Sequence, residues 1–187
     1  MTTVFLSGSR TLGRLNSDVR ERLRNIVDRR FHVVIGDANG ADKALQKYLA
    51  EAHYPSVTVY CSGGQCRNNV GAWETKSINV DAQLSGRDFY VQKDKSMAED
   101  ADYGFVLWDG KSAGALGNVM ELLKRRKKAL VYLSPAKSFL SVATAGDFRT
   151  LLANCPPEAQ RDINKKIKLT RSLDQLERDL QGSLAIQ

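Results

Sequence analysis

Apolar positions along the chain follow two alternating patterns. The short runs TVFLSGS (3–9), HVVIGD (32–37), VTVYC (57–61), YGFVLWD (103–109) and LVYLSP (130–135) have the length and β-branched character of buried strands. Between them, Val19, Leu23, Ile26 and Val27 recur at helical spacing, as do Ala41, Ala44, Leu45, Tyr48, Leu49 and Ala52. Residues 88–101 also read as a helix, and Leu116, Val119, Met120 and Leu123 form the stripe of another. Residues 62–86 turn polar and carry no steady period, so they read as a long loop with room for one short helix.

Strands alternating with helices predict an α/β fold: a Rossmann-like three-layer sandwich around a mainly parallel, five-stranded sheet, because parallel neighbours need a crossover. After Pro135 the strand pattern stops. Pro156 and Pro157 separate two helical pieces, and Ser172 with Gln175 suits a capping box for a last helix presenting Leu173, Leu176 and Leu180. The expected organisation is a nucleotide-binding unit over 1–135 and a helical extension, 136–187, packed on the same domain.

A chain of 187 residues with 42% apolar content suits a single globular domain. Neither a spanning segment nor a signal-like start is apparent, so no membrane partner and a cytoplasmic location are expected. Three cysteines and two histidines argue against a disulfide framework and against a zinc site; no metal and no cofactor are expected. The net charge of +7 favours an anionic partner. Part of it is KRRKK at 124–128, at an expected helix end, where the helix dipole and solvation explain it more simply than a nucleic-acid patch.

In a parallel sheet the loops leaving the strand carboxyl ends share one edge, and ligands bind where the strand order reverses. SGSR (7–10), GDANGADK (36–43) and WDGKSAG (108–114) each follow a predicted strand and should converge there. Their glycines, Gly8, Gly36, Gly40, Gly110 and Gly114, with Ala41, keep the backbone slim, while helix amino ends favour phosphate. Ser9 and Ser112 accompany them, and Arg10 suits a phosphate clamp, although a surface ion pair would explain a lone arginine. Asp37 and Asp42 suit ribose hydroxyls, with Asp37 or Asn39 alternatively capping the helix. Trp108 and Asp109 close the fourth predicted strand; Trp108 would stack on a base or fill the core. Arg67 and Asn68, in CRNNVGAW (66–73), serve either recognition or turn formation. GKS at 110–112 is not a triphosphate-binding loop, since Phe105 stands where that motif needs glycine, and GxGxxG is absent.

Taken together, GSR, GDANGADK, CRNN, KDKSMAEDAD (93–102) and WDGKSAGALGN resemble the SLOG superfamily of Rossmann-like proteins, in its YspA/YpsA-like branch. The resemblance covers about residues 3 to 135. It implies a nucleotide-like ligand, in a sensor or binding role, and a homo-oligomer. The superfamily also holds the LOG phosphoribohydrolases and the DNA-processing DprA proteins, so N-glycoside hydrolysis and DNA binding are alternatives, nucleic acid being the less favoured partner. The LOG motifs PGGxGTxxE and RKxxM fall on WDGKSAGALGN and KDKSM, with Ala115 at the threonine, Asn118 at the glutamate and Lys93 at the arginine. Neither catalytic side chain is preserved, and Glu121, one helical turn beyond Asn118, is the available substitute.

Overall fold

The computed structural model describes residues 1–81 and 83–184, with side chains in the last helix described up to Arg178. Its strands are β1 (Thr3–Gly8), β2 (His32–Gly36), β3 (Val57–Ser62), β4 (Glu74–Ile78), β5 (Tyr103–Trp108), β6 (Ala129–Leu133) and β7 (Ser138–Val142). The helices are α1 (Ser17–Asp28), α2 (Ala41–Glu51), α3 (Gly86–Asp100), α4 (Ala113–Lys124), α5 (Ala145–Leu152), α6 (Pro157–Ile167) and α7 (Leu169–Leu184). No described helix is long and apolar enough to cross a membrane.

All seven strands belong to one sheet, in the order β4-β3-β2-β1-β5-β6-β7. Every neighbouring pair is parallel except β6 and β7. The expectation of five strands is therefore corrected to seven. β4 lies inside the segment read as loop, because ETKSI is an exposed edge strand with no buried face to impose a hydrophobic period. β7 follows Pro135, which sits in the tight turn between β6 and β7 rather than ending the sheet, so the segment after residue 135 begins with a strand. Ser172 lies within α7, not before it: its amide already donates to the Lys168 carbonyl, 3.0 Å away, so it caps nothing. The side chain of Leu180 lies outside the described residues.

The alternation of strand side chains creates two cores. Val4, Leu6, Val33, Ile35, Phe105 and Leu107 face α1 and α2, packing on Val19, Leu23, Leu45 and Leu49. Phe5, Val34, Val106, Trp108 and Val131 face the other way, onto Met97 and Ala98 of α3 and Leu116 and Val119 of α4. The second core continues without a break into the last three helices through Phe148, Leu151, Ile163, Leu169 and Leu173. Local signals agree with this packing. Asn16 caps α1 by accepting from the Val19 amide at 3.0 Å, Thr144 and Asp147 form a reciprocal capping box on α5, and Pro157 opens α6.

Phe148 is completely buried among residues of the sheet and of α4. Phe148→Ala should lower unfolding stability by about 3–5 kcal/mol in a single urea transition. Two separate transitions would show that the last helices unfold independently of the sheet.

Candidate functional site

The strand order turns back between β1 and β5, whose carboxyl ends lie side by side, Gly8 opposite Leu107. That approach needs a glycine: a Cβ on Gly8 would stand 2.6 Å from the Leu107 carbonyl oxygen and 2.7 Å from the Ala41 Cβ. Ser9 then knots the loops. Its amide donates to Leu107 O at 2.8 Å, its carbonyl accepts from the Ala41 amide at 3.3 Å, and its hydroxyl accepts from the Asp109 amide at 3.1 Å. Gly40, at φ 81°, adopts a conformation that suits glycine, and a Cβ there would strike the Arg10 carbonyl. SGSR, GDANGADK and WDGKSAG thus meet at one sheet edge.

They open onto a cavity of about 620 Å³ between the amino ends of α3 and α4. Of the expected ligand residues, Gly8, Arg10, Asp42, Arg67, Asp109, Ser112 and Gly114 line it, as do Lys93 and Asn118. Gly36, Gly40 and Ala41 shape the backbone behind it. Four others serve the protein itself. Ser9 is the buried knot, and Asn68 donates from Nδ2 to the Asp37 carbonyl and to Asn39 Oδ1, at 2.8 and 3.0 Å. Gly110 provides a turn at φ 80°. Trp108 is fully buried and its indole N–H donates to Ser112 O at 3.2 Å, which corrects the stacking role: its strand parity points it into the core.

Asp37 is also corrected as a sugar acceptor. Its carboxylate is 2% exposed and takes the Arg67 guanidinium through both oxygens, at 3.0 and 2.6 Å, together with the Arg67 amide at 3.0 Å. Burial pushes its pKa up, but these bonds and nearby Lys93 bring it below the usual range. It fastens the 66–69 loop to β2. Beside Arg67, the same end of that loop is tied to β3 by a disulfide between Cys61 and Cys66, whose Cα atoms lie 5.1 Å apart, a single pair where the cysteine count argued against a disulfide framework; Cys155 is free and buried. Neither Asp37 nor Asn39 caps α2: the cap is Gly40, without a side-chain bond.

Lys93 forms the floor. It is 3% exposed, ion-paired with Asp94 at 2.9 Å and Asp37 at 3.9 Å, and these acids with Asp42 raise its pKa against the opposing effect of burial. Gly36 makes room for the cluster, since a Cβ there would lie 2.5 Å from Asp42 Oδ2 and 2.7 Å from Lys93 Nζ. Asp42 lines the cavity with Oδ2 accepting from the Ala38 amide at 3.2 Å; burial pushes its pKa up to about 6, partly opposed by Lys93.

The amino end of α4 is only partly open to an anion. Asp109 accepts from the amides of Lys111 and Ser112 at 3.0 and 2.7 Å and from Thr11 Oγ1 at 2.7 Å, and Ser112 Oγ accepts from the Ala115 amide. Burial raises the Asp109 pKa, but these donors bring it below the ordinary value. Among the described residues, the amides of Ala113 and Gly114 have no protein acceptor. Arg10 and Lys111, both exposed on the rim, form no ion pair among the described residues.

Glu121 is removed from the candidate catalytic set. It lines a smaller, adjoining cavity that shares Arg87, Val91, Asp94 and Asn118 with the main one, and is paired with Lys124 at 2.9 Å and Arg125 at 2.8 Å; burial raises its pKa, but these bonds bring it below the ordinary value. The basic run containing those residues lies away from the main cavity, and Lys127 donates to the Ala98 and Glu99 carbonyls at the end of α3. Sequence reasoning missed Ser7, Thr11, Arg87, Tyr90 and Asp94, all of which line the main cavity. The α3 residues Arg87, Tyr90 and Asp94 follow a helical spacing that could have marked them. Tyr90 lies against the Arg67 guanidinium, 4.3 Å from its ring centre, with Arg10 at 5.8 Å. No described group of three or more His, Cys, Asp or Glu side chains could hold a metal ion.

Fold and site together describe a doubly wound α/β protein with a crevice at its topological switch point. No family model and no curated relative matches the sequence. Among solved structures, the chain is similar to DNA processing protein A from Helicobacter pylori, in a structure addressing that protein's binding of single-stranded DNA. The TM-score is 0.55 at 16% identity, over 89% of this chain and 80% of that one. At such identity the likeness shows the fold alone.

The folded-state pKa of Asp42, about 6, exceeds the ordinary value of 3.8, so the folded protein binds this proton more tightly than the unfolded chain does. Wild-type stability should therefore carry a component lost as pH rises between about 4 and 6, on the order of 3 kcal/mol. Asp42→Asn has no such component. Urea unfolding should show its stability rising relative to wild type by that amount over the same window; a difference independent of pH would contradict the buried, readily protonated carboxylate.

Proposed function

We propose that this chain binds single-stranded nucleic acid, its sheet-edge cavity taking one phosphorylated nucleotide unit of the strand. The observation that carries this reading is the distribution of charge in the cavity: among the described residues Arg10 and Lys111 on the rim and half-buried Arg87 on the wall have no ion pair, while Arg67 and Lys93 are matched by Asp37 and Asp94. Phosphate sits toward Arg10, Lys111 and the open amides of Ala113 and Gly114, and Asp42 faces the sugar. An anion held at the mouth leaves the neighbouring nucleotides outside, which suits a strand. The fold shared with a protein whose structure addresses single-stranded DNA binding supports the reading, which is an alternative under the SLOG resemblance.

A second reading, a free nucleotide-derived ligand, is favoured by one observation. The cavity of about 620 Å³ has a closed floor of buried Asp42, Lys93 and Asn118, the form of a small-molecule site. Hydrolysis of an N-glycoside is not proposed, because Asn118 and Lys93 supply no carboxylate and Glu121 lies outside the cavity.

Fluorescence anisotropy with a labelled single-stranded deoxyoligonucleotide, titrated across salt, tests this. Affinity should fall linearly on a log–log plot. Arg10→Ala and Lys111→Ala should each weaken binding several-fold and reduce the slope by about 0.7. A flat salt response, or calorimetric binding of mononucleotides without any binding of the oligonucleotide, overturns the strand reading.

A further inference from the structure

We infer that the inner end of the cavity reads the hydrogen-bonding edge of a base, with Asn118 as the specificity-determining residue and adenine as the preferred base. This rests on the nucleotide-unit reading above and adds a selectivity to it. Asn118 is 8% exposed, lines the cavity, and makes no hydrogen bond among the described residues. The Ser7 hydroxyl, on a residue 3% exposed and lining the same cavity, is itself buried and has no partner. A buried polar group left without a partner is costly, which applies to the Ser7 hydroxyl, while the Asn118 carboxamide, with no protein partner among the described residues, keeps its polar atoms accessible at the cavity wall, where an occupant can bond to them. Around Asn118 the wall is formed partly by Val91, Met97 and Ala115, apolar surface suited to the face of a base.

The helix sets the direction. Gly114, whose open amide lies in the proposed phosphate position, and Asn118 are four residues apart on α4, hence on one face and about 6 Å apart along the axis. In a purine nucleotide the base edge on the side of its own 5′-phosphate is the one that carries N7 and the exocyclic group. Asn118 therefore meets that edge. A carboxamide presents one donor and one acceptor side by side, matching adenine N7 and N6–H; guanine offers two acceptors there, N7 and O6, and leaves the amide oxygen unsatisfied.

The test compares short homopolymeric deoxyoligonucleotides of adenine, 7-deazaadenine and guanine, by anisotropy at one salt concentration. Wild type should bind the adenine strand roughly 10-fold or more tightly than either of the others, the discrimination of a good bidentate contact. Asn118→Ala and Asn118→Leu should bind all three alike, near the affinity of wild type for the 7-deazaadenine strand. Equal wild-type affinity for adenine and 7-deazaadenine overturns the inference, as does a loss in the variants that is the same for every strand. If neither variant folds, the comparison of analogues on the wild-type protein still decides. Binding without base preference defeats this inference and leaves the nucleotide reading standing; binding of no strand and no mononucleotide defeats both.

Discussion

The site depends on the close contact between the ends of β1 and β5. Gly8 allows the two strands to reach the edge together, and Ser9 converts that proximity into a fixed arrangement by bonding to the Leu107 carbonyl, the Asp109 amide and the Ala41 amide. These bonds lie in a residue with no solvent exposure, where an unmade bond would not be replaced by water. Three crossover units that are far apart in the chain thereby acquire a common wall. The rest of the cavity, including the position of α4, is built outward from that knot.

Charge is organised in two layers on this scaffold. Below, Lys93 lies among Asp37, Asp42 and Asp94, and Arg67 completes the set by its forked bond to Asp37. Removing one member of such a buried group would strand its partner, which commonly costs 3–5 kcal/mol, so the lower layer is held in place, with Asp42 its one member whose pKa is raised toward neutrality. Above it, Arg10 and Lys111 remain in water. Their charges are screened by salt and cost little to keep, and they are available to an anion arriving from solution. Asp109 works against that availability, since it occupies two of the amides at the start of α4.

The five central strands were legible because each has both faces covered, so burial writes a continuous apolar run into the sequence. β4 and β7 were not, for the complementary reason: one face or both meet solvent, and Glu74, Lys76, Ser138 and Ser141 break any hydrophobic period. The site was also read incompletely. Arg87 falls between the segment read as loop and the helix expected from residue 88, so its place beside Tyr90 and Asp94 went unread although their helical spacing was present. The three loops could be placed because their topology follows from the strands they leave. The allocation of individual groups could not, since Asp37, Asp42 and Asp109 are chemically alike and differ only in their partners. Trp108 is an exception: it shares the parity of Val106, which turns it toward the helices and away from a ligand.

β4 also determines how the sheet ends. Its outward row of peptide groups is unpaired within the sheet, a template on which another chain could in principle lay a strand. Glu74 and Lys76 place charge along that border, and Lys76 is anchored by Asp100 at 2.7 Å. Stacking of molecules border to border would have to desolvate those charges. The margin of the sheet therefore guards concentrated protein against fibrous growth, and it does so with the same polar residues that hid the strand from a hydrophobic pattern.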